Sequence, residues 1–211
     1  LLTVPVTVSS SVYFNMAAGT SFADGGNTIT VSNNFGTNGS KAAYNFTGTA
    51  VMAPGSGAVR IQNNNTAQGL FVADLNNLSI QPGTGGANVI VQPLSGNNIL
   101  TIKGNLSIGG TGTGSKLQPN ANTIQIAGNY SNSRTIDMVS AGTSTFEFNG
   151  SSAQTFSTAY ASGESFSKVI LNNAAGLTFT SGNARISNGG SLTCQSGELI
   201  TGSNKVILNP T

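Results

Sequence analysis

Histidine and tryptophan are absent from this 211-residue chain, and cysteine occurs once, at Cys194. Without histidine the commonest general base and metal ligand is missing. Imidazole-based nucleophilic triads and zinc sites of the His/Cys kind are therefore excluded. A lone cysteine excludes an intrachain disulfide. Charge is scarce as well. Asp, Glu, Lys and Arg make up 7% of the residues, against roughly 25% in an average soluble domain. The net charge is +2. The cations (Lys41, Arg60, Lys103, Lys116, Arg134, Lys168, Arg185, Lys205) are scattered, so no phosphate-tracking surface and no nucleic-acid partner is expected. No apolar run approaches the roughly 20 residues of a membrane-spanning helix. The start, Leu1 to Val8, lacks the charged and long apolar regions of a signal peptide. Both ends read as strands cut in mid-pattern, so the expectation is a piece of a longer protein.

The acids are equally sparse: Asp24, Asp74, Asp137, Glu147, Glu164 and Glu198, no two within five residues of each other. A hydrolase or lyase needs clustered carboxyl groups, so no catalytic residue is assigned. Calcium needs several converging carboxylates. Asp24-Gly25-Gly26-Asn27 is a single echo of aspartate-rich calcium repeats and reads as a turn. The Gly-rich runs at 83–86 and 109–114 precede no helix, so they read as corners and not as phosphate cradles. No metal and no cofactor is expected. Glu147 and Lys168, about one repeat apart, suggest a surface ion pair contributing at most about 1 kcal/mol.

Helical periodicity is missing too, since Gly or Asn interrupts every candidate. What fills the chain instead is short alternation of apolar and polar residues. Examples are Thr28-Ile29-Thr30-Val31, Val59-Arg60-Ile61, Leu70-Phe71-Val72, Leu100-Thr101-Ile102, Ile124-Gln125-Ile126, Phe146-Glu147-Phe148 and Leu177-Thr178-Phe179. Asn-Gly, Gly-Gly, Ser-Gly and Asn-Asn pairs separate them, and these are turn formers. In the last third the strand centres fall near Ile170, Thr178, Arg185, Thr193, Leu199 and Ile207. Three such steps make a coil of roughly 22 residues, as in a three-faced solenoid. Sandwich strands are spaced more widely, by roughly 8–12 residues. The reading is an all-β, right-handed parallel β-helix over residues 1–211. Residues 1–60 admit three forms: a cap, less regular coils, or a small sandwich. Asn at equivalent corners predicts amide ladders along the axis.

Cys194 alternates in phase with Leu192 and is expected to point inward as a small hydrophobe. Most aromatics alternate with polar residues, which makes core stacking the default. Tyr13, Tyr130 and Tyr160 are the candidates for exposed glycan contacts.

Two segments resemble a known family. Phe148-Asn149-Gly150-Ser151-Ser152-Ala153-Gln154-Thr155 and Leu171-Asn172-Asn173-Ala174-Ala175-Gly176-Leu177-Thr178 are the most specific. Ile126-Ala127-Gly128-Asn129-Tyr130-Ser131-Asn132 precedes them, and Gly190-Ser191-Leu192-Thr193-Cys194-Gln195-Ser196-Gly197-Glu198-Leu199 follows. Together they resemble the repeats of very large secreted and surface proteins of Bacteroidetes-type bacteria, the substrates of type IX secretion. The resemblance covers residues 126–208 well and 1–125 loosely. Tyr130 stands where the family often has Trp, and Cys194 where it usually has a large aliphatic. The family's sorting domain is absent from this sequence, so the export route is what the resemblance implies. The resemblance implies a structural or adhesive solenoid at the bacterial cell surface or outside the cell. Its implied partners are neighbouring domains of the same polypeptide and extracellular polysaccharide. Two other readings stand beside it. One is carbohydrate binding on an intact or degenerate polysaccharide-active β-helix. The other is ice binding, which would need an outward Thr ladder at coil spacing.

Overall fold

The structure, a computed structural model, describes residues 1–38, 41–54, 58–63, 73–81, 87–91, 99–110, 116–137, 139 and 142–209. The strand expected at Leu70-Phe71-Val72 and most of both Gly-rich runs lie outside them. Among the described residues the chain is all-β, with a single 3-10 turn at Lys41–Ala43. Its strands are two to five residues long until the last third. A strand that short pairs poorly as an isolated hairpin. Stacked in parallel, it gains a neighbour above and below, and that is the arrangement found.

The first face carries nine strands in one parallel sheet. They are Val6–Val8, Thr28–Val31, Thr49–Met52, Asn77–Ile80, Leu106–Ile108, Tyr130–Asn132, Gln154–Thr158, Leu177–Ser181 and Leu199–Ile200. The second face begins with Val12–Asn15, Phe35–Asn38, Val59–Asn63, Val89–Val91 and Leu117–Gln118. The third contains a separate two-stranded sheet, Phe22–Ala23 with Tyr44–Asn45, and a six-stranded sheet that starts with Ile99–Ile102, Thr123–Ile126 and Thr145–Phe148. Two long strands, Glu164–Asn172 and Ala184–Ser196, turn the corner from the second face to the third. Their register shifts at that corner, between Phe166 and Lys168. Each coil thus visits three faces, and coils recur about 23 residues apart. The steps along the first face are uneven: the one from Ile29 to Ala50 is short, and those from Ala50 to Leu78 and from Leu78 to Leu106 are long. Within residues 6–52, strands join the first-face and second-face sheets, while Phe22–Ala23 and Tyr44–Asn45 pair in a separate two-stranded sheet. Nine strands at roughly 4.8 Å give a column about 40 Å long.

Alternation builds the core, because side chains on a strand point to opposite faces in turn. One inward column of the first face runs Val6, Ile29, Ala50, Leu78, Leu106, Tyr130, Phe156, Phe179. The third face adds Leu100, Ile124, Phe146, Val169, and Ile102, Ile126, Phe148, Leu171. Aromatic rings gather near both ends of the column, as in the Phe14–Phe22 and Phe156–Phe179 pairs, each with centroids 4.5 Å apart. Aliphatic side chains fill the middle.

The corners carry the ladders that the Asn content predicts. Asn77 Oδ1 accepts the backbone N–H of Asn105 at 2.9 Å. Asn105 Oδ1 accepts that of Asn129, and Asn129 Oδ1 that of Thr155, each at 2.8 Å. Gly197 shows why a corner needs glycine: its φ is +81°, and a Cβ there would run into the Asn173 carbonyl oxygen. The two most specific family-like segments meet at another corner. Buried Gln154 Oε1 accepts from Gly150 N at 3.0 Å and from Asn173 Nδ2 at 2.9 Å. Its Nε2 donates to the carbonyl oxygens of Ile126 and Gly128. The two segments are therefore halves of one corner lock.

Cys194 departs from expectation. It is exposed, although it continues the inward column by pairing with buried Leu171. The reason is position. Among the described residues no further strand stacks on Ser191–Ser196, so an inward phase there faces open space.

Candidate functional site

The three candidate tyrosines do not form a strip. Tyr13 is 41% exposed on the second face. Its hydroxyl accepts from Asn34 Nδ2 at 3.1 Å and from Gln62 Nε2 at 3.2 Å. Tyr160 is half-buried in the turn after Gln154–Thr158, where its backbone N–H donates to Thr158 Oγ1 at 3.1 Å. Tyr130 is fully buried, contrary to its reading as a surface residue. It pairs in register with Leu106 and Phe156, both inward-facing, and its ring stacks on Phe156 at 5.1 Å. Register, and not the polar neighbours Ser131 and Asn132, sets its direction.

The acids are built into the scaffold. Glu147 lies on the outer side of the third face, in a polar ladder. Its carboxylate accepts from Gln125 Nε2 and Asn172 Nδ2, both at 3.0 Å. Lys168, the expected partner, stands opposite Thr145 in the strand register, and Ile170 stands opposite Glu147. Asp137 lies 3.8 Å from Lys116 Nζ, a partly exposed ion pair of small energetic weight. Asp24 sits in the turn read from the sequence and is 2% exposed. It accepts from Gly26 N, Thr47 N, Thr47 Oγ1 and Gly48 N at 2.9–3.1 Å. Burial pushes its carboxyl pKa up, but these hydrogen bonds outweigh burial and hold it below the ordinary value.

Glu164 was not singled out from sequence. It is completely buried. The second inward column of the first face runs Val8, Val31, Met52, Ile80, Ile108 and then turns polar at Asn132 and Thr158. Those two residues meet Glu164. Asn132 Nδ2 donates to its Oε2 at 2.5 Å, and Val139 N donates to its Oε1 at 2.9 Å. Thr158 Oγ1 lies 3.4 Å from Oε2. Burial first, then the charges of Glu164 and Asp137, push the Tyr130 phenol well above its ordinary pKa. Asp137 accepts from Ser165 N at 3.2 Å, which brings two acids onto neighbouring coils. Glu164 offers no surface to a polymer, so the pair does not form an open acid–base cleft. Among the described residues no group of three metal-ligating side chains gathers. No helix there is long and apolar enough to cross a membrane.

An open feature lies on the outer side of the first face. A shallow trough of about 480 Å³ runs over five coils there. Two outward columns line it. One contains Thr49, Asn77, Asn105, Asn129 and Thr155, and the other Ser107, Ser131 and Ser157. Hydroxyl and amide groups recur once per coil, and no charged residue is among the described lining residues. The pattern was hidden in the sequence because a whole coil of chain separates each member from the next.

No family model, no curated protein and no solved structure matches this chain.

Proposed function

We propose that this chain is a structural and adhesive solenoid segment of a secreted or cell-surface bacterial protein. The observation that carries the reading is the use made of the acids. Asp24, Glu147 and Glu164 are committed to hydrogen bonds that hold neighbouring coils together. The open first face meanwhile presents uncharged hydroxyls and amides. Such a column resists distortion along its axis and offers a repetitive surface, as a spacer or adhesin requires. The resemblance of residues 126–208 to type IX-secreted repeats supports export and attachment to neighbouring domains. Antibodies raised against the chain are expected to label intact cells of the source bacterium and to lose their target after protease shaving. Labelling only after lysis overturns the reading.

Carbohydrate recognition is a second reading, and the trough favours it. Ice binding has weaker support, since the outward columns are mostly Ser and Asn through the trough and lack paired threonines.

A further inference from the structure

We infer that the first-face trough binds a linear, uncharged glycan lying along the solenoid axis. This deepens the adhesive reading and rests on it. Four observations combine. First, the ladder orients the amides. Asn77, Asn105 and Asn129 each use Oδ1 to accept the next coil's backbone N–H, which fixes the side chain and leaves Nδ2 with no partner among the described residues. Three N–H₂ groups are thus held in line, one per coil, each an unspent donor. Asn105 and Asn129 are exposed, and Asn77 is half-buried.

Second, the parallel column of Ser107 and Ser131 supplies hydroxyls that both donate and accept. Polyhydroxylated chains need that mixture. Third, the repeat of the surface is one coil, roughly 4.8 Å, close to the rise of one sugar in an extended chain. A linear polymer can therefore repeat its contacts along the axis. Fourth, the described lining residues include neither cation nor anion. An anionic polymer would have no counter-charge there, whereas a neutral one loses nothing. The amides are pre-oriented, so little ordering entropy opposes binding. Ser79, which continues the hydroxyl column, is buried, so the open hydroxyl column stops there. A crystalline lattice face would need a wider flat array, which favours a single polymer chain as occupant.

The test titrates the chain with hexasaccharides of β-glucan, xylan, mannan and chitin type, alongside oligogalacturonate. Binding is read by calorimetry, and folding by thermal denaturation. One neutral hexasaccharide is expected to bind and oligogalacturonate not to. The double variant Asn105→Asp/Asn129→Asp keeps an oxygen for each ladder N–H but removes the donor amides. It is expected to bind at least about tenfold more weakly, from the loss of two hydrogen bonds, while its Tm stays within a few degrees. Thr123→Ala on the third face is the control and leaves affinity unchanged. Equal affinity in the double variant, or no binding by any neutral hexasaccharide, overturns the inference. So does a thermal-hysteresis signal without glycan binding, which would assign the face to ice. Surface labelling of intact cells would survive each of these failures, so the inference and the broader reading fail separately.

Discussion

Asp24 and Glu164 are both buried carboxylates, placed near opposite ends of the column, and they are accommodated differently. Asp24 sits at a corner and is held mainly by backbone N–H groups of its own turn and of the next coil. Glu164 sits inside the column and relies on the side chain of Asn132 and the N–H of Val139. The corner needs little from the rest of the sequence: a short acid, flexible turns and Gly48, where a Cβ would run into the Asn27 carbonyl oxygen. The interior needs matched residues on two neighbouring coils, Asn132 on one and Thr158 and Glu164 on the next. In a solenoid, polar groups are readily placed at corners and cooperatively placed in the core.

Removing Glu164 is the most disruptive way to probe this contrast. Glu164→Ala strands Val139 N, on a residue 1% exposed, and takes from Asn132 Nδ2 its shortest hydrogen bond, leaving it the Ile136 carbonyl and the long contact to Thr158 Oγ1. A destabilisation of about 3 kcal/mol is expected, because buried donors without acceptors keep their full desolvation cost. Glu164→Gln retains one acceptor oxygen and should cost less. Urea denaturation of the two variants gives the comparison. Equal losses would mean that neither the volume nor the single oxygen kept by Gln helps, and that the site needs both acceptor oxygens of the carboxylate.

Asp24→Ala is expected to cost about 2 kcal/mol, less than Glu164→Ala, because Thr47 and Gly26 are exposed and their N–H groups can turn to water. A larger loss than for Glu164→Ala would reverse the ranking of corner and interior. The lowered pKa of Asp24 adds a pH signature. Below about pH 4 the unfolded chain takes up a proton that folded Asp24 does not. The stabilisation from Asp24 is complete above that pH and is lost as pH falls through the lower folded value. Hydrogen exchange should show the Thr47 and Gly48 amides losing protection in acid first. Asp24→Asn should abolish that pH dependence.

The contrast also marks where sequence reading succeeds. Strands such as Phe146-Glu147-Phe148 and Leu177-Thr178-Phe179 were legible because alternation reports burial directly. The coil length was legible because it was read from the last third, where the steps from Phe156 to Phe179 and from Leu177 to Leu199 are regular. The longer coils in the middle, from Ala50 to Leu78 and on to Leu106, were not legible, since the inward pattern does not constrain the length between strands. Tyr130 was recoverable: Asn129-Tyr130-Ser131-Asn132 aligned on Asn105-Leu106-Ser107-Ile108 places it at an inward position. Glu164 was not. Ser162-Gly163-Glu164-Ser165 reads as a turn, and only the three-dimensional meeting with Asn132 gives it a partner. Cys194 followed the pattern correctly but lies where no further coil covers it among the described residues. The trough escaped because its lining is periodic in space and not in sequence.

Tyr130 gives the smallest and most selective test. Burial and the neighbouring Glu164 charge raise its pKa, so the folded protein keeps the phenol proton at a pH where the unfolded chain has released it. Above about pH 10 the unfolded state binds fewer protons, and stability falls with further rise in pH. The effect is opposite in sign to that of Asp24 and arises farther along the column, on the sixth of the nine first-face strands. Tyr130→Phe keeps the ring on Phe156 and removes only the hydroxyl. At pH 7 the change should stay within about 1 kcal/mol. In alkali the variant should resist unfolding better than the parent, and the gap should open only above about pH 10. If parent and variant lose stability in parallel, the alkaline sensitivity comes from other groups. If the variant is already weaker at pH 7, the hydroxyl is a working member of the Glu164 cluster and the interior network extends one residue further than its shortest hydrogen bonds indicate.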